Sequence, residues 1–253
     1  MHPCFYIRDG DGFMPTRLAA SPWEFGKQNG VGLGGLATAA VETIPAPAAM
    51  TTARLTIDIL AAAPMEHTTA RTRVLREGKR IQMVEAELVV GDRAVARATA
   101  LRVRQTETPP FAEPNAYPPP ESVPEVDFMD ARAFGGTIET RKVSGALREP
   151  GPGVLWVRFG HDHIADEPLT PLLRAAMLGD FGGGLGSVLD SGAWTYANLD
   201  ITLHLTREPV GEWLLVDAAT ASAGTGVGRS DMILADTRGP FARAHQTLFV
   251  APR

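Results

Sequence analysis

Residues 196–205 read Y-A-N-L-D-I-T-L-H-L. Asn198, Asp200, Thr202 and His204 alternate with Leu199, Ile201, Leu203 and Leu205. Side chains alternate faces along a strand, so this period of two predicts a half-buried strand whose polar face carries four hydrogen-bonding groups. Any surface strand shows the same pattern, and its surroundings give this one more weight. Upstream, residues 173–184 read L-R-A-A-M-L-G-D-F-G-G-G, an apolar helix that delivers a carboxylate, Asp180. The helix is expected over 168–181, with Pro171 near its first turn, where a missing N–H does little harm. Downstream, residues 241–250 read F-A-R-A-H-Q-T-L-F-V, a last strand carrying Gln246.

The same order of a helix and then strands occurs once before. Residues 29–44 predict a small-residue helix with Leu33, Leu36, Ala37, Ala40 and Val41 on one face, stopped by Pro45 and Pro47. Strands follow at 53–60, 69–76, 80–90 and 94–103, joined by E-G-K and G-D-R turns. Consecutive hairpins imply an antiparallel meander. In the second half, strands are expected at 136–143 and 154–161, then at 195–206, 212–221, 226–235 and 241–250. A short strand at 5–8 turns at D-G-D-G.

The two halves match. A-R-L-T-I-D-I-L from Ala53 stands against A-N-L-D-I-T-L-H-L from Ala197, and A-R-A-T-A-L-R-V from Ala96 against A-R-A-H-Q-T-L-F-V from Ala242, both about 145 residues apart. This is a tandem repeat whose two units pack as a pseudo-dimer. The alignment sets Ala100 opposite Gln246 and so predicts one site per chain. Residues 108–125 are too rich in proline to feed a sheet and read as an extended tether. The expected division is 1–106, a linker at 107–125, and 126–253.

Composition excludes several classes. With 44% hydrophobic and 21% charged residues the chain is an ordinary globular protein, and a net charge of −5 argues against a nucleic-acid partner. Cys4 is the only cysteine, so no intrachain disulfide forms. The first ten residues lack a basic segment followed by a long apolar run, and no apolar stretch reaches membrane-spanning length, so a cytosolic location is expected. G-x-G-x-x-G occurs at Gly30, Gly32 and Gly35, but no strand of a βαβ unit precedes it, which removes a dinucleotide site.

The arrangement resembles the double hotdog proteins, specifically the acyl-CoA thioesterase II family and its thioesterase-like relatives. The residues that carry it are P-T-R-L-A-A-S-P-W at 15–23 with the Gly-rich helix at 29–44, then L-G-D-F at 178–181, A-N-L-D at 197–200, E-W-L-L at 212–215 and A-R-A-H-Q at 242–246. The resemblance implies an α+β tandem hotdog, two antiparallel sheets each wrapping a central helix, assembled further into a homodimer. It also implies hydrolysis of an acyl-CoA. The family's site is an Asp on the second helix, a Thr or Ser on the next strand and a Gln on the last; these fall on Asp180, Asn198 and Gln246, with Asn198 departing from the pattern.

Thioester hydrolysis needs a water near a carboxylate, groups that orient it, and donors facing the developing oxyanion. Asp180 would take the proton, and Asn198 and Gln246 would place the water. Backbone N–H groups of Gly32, Gly34 and Gly35 are the candidate substrate-binding donors. This chemistry requires no metal or cofactor, and no G-x-S-x-G elbow is present. H-D-H with a later Asp (His161, Asp162, His163, Asp166) lacks the spacing of a metal site. Trp23 reads as a packing anchor, His204 and His245 as solvated, and Arg97 and Arg243 as repeat-equivalent structural residues. Two alternatives stand beside the hydrolase: a non-catalytic acyl-CoA or lipid-binding protein, favoured by Asn198, and an enoyl-CoA hydratase, disfavoured because D-x-x-x-x-H occurs nowhere.

Overall fold

Asn29 starts the first helix as its N-cap. Its side chain accepts from the Gly32 N–H at 2.7 Å and donates to Leu18 O and Ala20 O, so it both caps the helix and ties down the preceding turn. In the computed structural model, which describes residues 2–253 except 23, 128–136, 147, 148, 188 and 191, the hairpin β1 (Cys4–Asp9) and β2 (Gly12–Pro15) precedes this helix, α1 (Gly30–Glu42). The meander β3 (Met50–Ile59), β4 (Thr68–Glu77), β5 (Ile81–Val90) and β6 (Arg93–Arg104) follows. α1 packs against all four strands, with Leu33, Leu36, Ala37 and Val41 fully covered.

The second half contains β7 (Ile138–Ala146), β8 (Glu149–Phe159) and β9 (Asp162–Ile164), then α2 (Pro171–Gly179) and a one-turn α3 (Gly182–Leu185). It ends with β10 (Trp194–Asn198), β11 (Asp200–Leu205), β12 (Leu214–Ser222), β13 (Val227–Asp236) and β14 (Gly239–Pro252). The tandem repeat is visible in the strand order, β8-β12-β13-β14-β11 running into β3-β6-β5-β4.

The two halves form one sheet, which corrects the expectation of two. β11 pairs antiparallel with β3, from Asp200 opposite Asp58 to His204 opposite Arg54, and a single 14-stranded sheet results. Both strands are apolar inside and polar outside, so joining them removes two open edges without exposing a core residue. β9, which the sequence did not announce, pairs parallel with β1 at the far end and ties the second half back to the first.

The proline-rich tether lies along the second half. Trp156 Nε1 donates to Pro118 O at 3.0 Å, Asn115 Nδ2 to Thr237 O, and Glu113 pairs with Arg243. Beneath it, Trp156, Leu215 and Ala235 are fully buried on the outer sheet face, packed by Tyr117, Val123 and Trp213. Their neighbours Leu155, Leu214 and Leu234 fill the inner core. Strands covered on both faces read as continuous apolar runs, and V-L-W-V and W-L-L-V are such runs. The Tyr117 hydroxyl donates to Asp217 Oδ2 at 2.9 Å. Tyr117→Phe should lower stability by about 1 kcal/mol with an unchanged urea m-value, read by equilibrium denaturation.

Candidate active site

Thr170 caps α2 by accepting from the Leu173 N–H, and the helix ends on Asp180, whose own N–H reaches back to Met177 O and Leu178 O. The carboxylate is thereby aimed at the start of α1. A Cβ built on Gly30 would overlap Asp180 Oδ1, so only glycine lets helix and carboxylate approach this closely. Both residues line a cavity of about 380 Å³. Its lining includes the apolar Val31, Leu33, Ile59 and Phe181 and the polar Glu24, Tyr196 and Arg253. Burial pushes the Asp180 carboxyl up to about 6, opposed by a hydrogen bond from Asn198.

Asn198 reaches Asp180 through an irregularity in the sheet. Asn198 stands opposite Leu248 and Thr202 opposite His245, so four steps along β10–β11 match three along β14. One extra residue in a ladder is a bulge, and it reverses the facing of every side chain beyond it. Leu199 turns half-exposed, Asp200 Oδ1 accepts from the Thr247 N–H at 2.6 Å, and Asn198 swings to the inner face. Unbroken alternation predicts Asn198 on the face of Asp200, Thr202 and His204; the bulge separates it from them. Asn198 Nδ2 donates to Asp180 Oδ1 at 2.9 Å.

Gln246 is buried on the inner face of β14. Its Nε2 donates to Gly179 O at 2.8 Å, and its Oε1 is buried without a partner among the described residues. A Cβ on Gly183 would lie 3.0 Å from Asn198 Oδ1 and 3.3 Å from Gln246 Oε1. The two amide oxygens therefore both approach Gly183. α2, β10 and β14 bring Asp180, Asn198 and Gln246 together.

Gly32, Gly34 and Gly35 lie elsewhere. The Gly32 N–H is taken by Asn29, Gly34 packs toward Ile57, and Gly35 lies under the His163 ring; none lines the cavity. The cavity is met instead by Gly30 and Val31, whose N–H groups, first in the helix, are left over by intrahelical bonding. Asn29 just before a glycine-rich helix is the signature that marks this N-terminus. Gly30→Ala should lower kcat about tenfold to a hundredfold with little change in KM, because the added methyl displaces the carboxylate rather than the ligand; steady-state kinetics reads the split.

His161 and His163 are buried among Phe5, Tyr6 and Phe159, and no group of three or more His, Cys, Asp or Glu side chains suited to a metal occurs among the described residues. His204 is exposed, and His245 pairs with Asp231 at 2.9 Å. Arg97 lies within 4 Å of Glu85 and Glu87. Trp23 lies outside the described residues.

A family profile described as the acyl-CoA thioesterase N-terminal domain matches residues 19–103, and one described as the acyl-CoA thioesterase C-terminal domain matches residues 113–250. The chain belongs to the acyl-CoA thioesterase family. Solved structures similar to this thioesterase-family chain share its fold at low identity. A conserved protein of unknown function with a hot dog fold from Alicyclobacillus acidocaldarius is 15% identical, over 97% of this chain and 95% of that one, with a TM-score of 0.78. An acyl-CoA thioesterase II from Mycobacterium marinum is 17% identical over 94% and 97%, with a TM-score of 0.69. A tesB protein from Mycobacterium avium subs paratuberculosis is 16% identical over 98% and 96%, with a TM-score of 0.67. No curated protein matches the chain. No helix among the described residues is long and apolar enough to cross a membrane.

Proposed function

We propose that this chain is a double hotdog, divided at 1–106 and 126–253, with each half of the sheet curled around its helix, and that it hydrolyses an acyl-CoA to the free acid and coenzyme A. The observation that carries this reading is the buried Asp180 carboxylate in the cavity wall beside the first turn of α1, held by Asn198 Nδ2 at 2.9 Å, with Gln246 bonded to the preceding residue, Gly179. Asp180 is the general base. With its carboxyl raised to about 6 it is ionised at neutral pH, yet more basic than a solvated carboxylate. The water gives one O–H to Asp180 and the other to Gln246 Oε1 or Asn198 Oδ1, which turns its lone pair toward the thioester carbon. As the C–O bond forms, the carbonyl oxygen gains charge and meets the N–H groups of Gly30 and Val31 at the positive end of α1. Collapse breaks the C–S bond, and the departing thiolate takes the proton that Asp180 had accepted. The same reading places the protein in the cytosol as a homodimer with acyl-CoA as its ligand.

The test is thiol release from a panel of short, long and aromatic acyl-CoAs. Turnover supports the hydrolase. Saturable binding by thermal shift with no thiol released would instead support the rival reading, a non-catalytic acyl-CoA-binding protein, which rests on Asn198 standing where the family motif has a hydroxyl.

A further inference from the structure

The pseudo-two-fold relation between the halves puts a second set of side chains in the same places. Leu203 lies opposite Leu55 at the junction, and each pairs onward with an alanine, Ala244 on β14 and Ala100 on β6. Two residues further along, Gln246 corresponds to Arg102, and across the next ladder Ser230 opposite Gln246 corresponds to Gln82 opposite Arg102. The equivalence of Gln246 with Ala100 read from the sequence is thus two residues out of step, a slip that leaves the facing unchanged and is invisible to a pattern of period two. The helices agree. Gln246 Nε2 donates to Gly179 O, and Arg102 Nη2 to Val41 O at 2.8 Å; the next residue in each helix is an acid, Asp180 or Glu42. Asp180 faces the N-terminus of α1, and Glu42 Oε2 accepts from Thr170 Oγ1, the N-cap of α2, at 2.7 Å. Met50 holds the position of Asn198.

The two copies differ in what is satisfied. In the first half, Arg102 Nη1 donates to Ile44 O at 2.7 Å and to Gln82 Oε1 at 3.0 Å, and Gln82 Nε2 donates to Pro45 O at 2.9 Å. In the second, Ser230 Oγ and Gln246 Oε1 are both buried with no partner among the described residues. Buried polar atoms are rarely left so, and the unpartnered Gln246 Oε1, on a side chain bonded to the residue before Asp180, marks a place reserved for a ligand atom.

We propose that Glu42, Gln82, Arg102 and Thr170 form a closed second copy of the site, and that Ser230 holds the working copy open by being too short to give Gln246 the partner that Gln82 gives Arg102. This rests on the hydrolase reading for its kinetic consequence and on the register alone for its geometry. Ser230 takes no part in the chemistry: it touches no substrate, and what matters at 230 is only that the side chain stops short of Gln246 Oε1.

The experiment compares Ser230→Ala, Ser230→Asn, Ser230→Gln and Glu42→Gln with the wild type. Ser230→Ala should keep kcat within about twofold. A longer amide at 230 should bond Gln246 Oε1 and lower kcat about a hundredfold with KM nearly constant, since the water loses its placement and the acyl cavity is untouched. Glu42→Gln should leave turnover unchanged. Ser230→Asn, one methylene shorter, covers the case in which Ser230→Gln gives no cooperative melt. Wild-type kcat in whichever amide variant folds, or turnover lost in a folded Glu42→Gln, overturns the proposal. A wild type inactive on every thioester removes the hydrolase reading instead. The crystal structure of the amide variant then decides the geometry by whether the introduced amide lies within hydrogen-bond distance of Gln246 Oε1.

Discussion

Asp180→Asn is expected to lower kcat for acyl-CoA hydrolysis by about 10²- to 10⁴-fold, the range that a positioned general base contributes. The substitution keeps the shape of the side chain and leaves an oxygen for the Asn198 amide, so KM should move little. The pH profile separates loss of a base from loss of shape. Burial holds the carboxyl at about 6, so wild-type kcat should rise through an apparent pKa near that value and level off above it. The residual rate of the variant should lack this limb. Stability should move the other way. A carboxyl raised from 3.8 to about 6 by folding binds its proton more tightly in the native state. Its contribution of up to about 3 kcal/mol is therefore fully present below about pH 4 and is lost as pH rises from there through about 6. Asp180→Asn should then melt no lower than wild type at pH 7 and possess less activity, as expected of a residue kept for chemistry. A variant with wild-type kcat, or one whose rate keeps the acid limb, would remove Asp180 from the mechanism.

Much of this was legible in the sequence because it depends on period. The 3.6-residue face of 29–44 and the alternation of 53–103 and 195–250 gave a helix and a meander twice, and the acid, amide and glutamine positions followed from the resemblance. What escaped depends on counting across strands. The bulge after Asn198 is one residue in a ladder, and no letter in Y-A-N-L-D announces it; yet it alone turns Asn198 inward. Gly32, Gly34 and Gly35 read as N–H donors at the entry of a helix, but a capping side chain uses the third N–H and the later glycines sit beneath neighbours. β9 has three residues, too few for a pattern. The prolines of the tether predict a spacer, and Tyr117, Pro118 and Trp156 show it to be packed structure.

The second large effect is on folding and is set by acid. His161 and His163 flank the β1–β9 junction, almost wholly buried. The His163 ring stacks on Phe5, fills the space left by Gly35 and holds Gly32 O at 3.1 Å through Nε2, while Nδ1 has no partner among the described residues. Burial lowers it from 6.5 to about 3, with the neighbouring His161 pushing the same way; burial lowers His161 to about 4 against the pull of Asp162. Both are neutral in the native state and become charged in the unfolded one below about pH 6.5. The unfolded state then binds more protons, so stability falls as pH drops through the window from 6.5 to about 4. Each imidazole costs roughly 3 kcal/mol by pH 4, and Asp180, which gains up to about 3 kcal/mol over the lower part of that window, offsets about half of the sum. Urea midpoints at pH 7, 5.5 and 4 should therefore fall. His163→Phe keeps a ring over Gly35 that cannot charge, so it should start somewhat lower at pH 7 for want of the bond to Gly32 O, and then lose about 3 kcal/mol less than wild type by pH 4. Parallel curves for the two proteins would mean that His163 is already charged, or already wet, in the folded state.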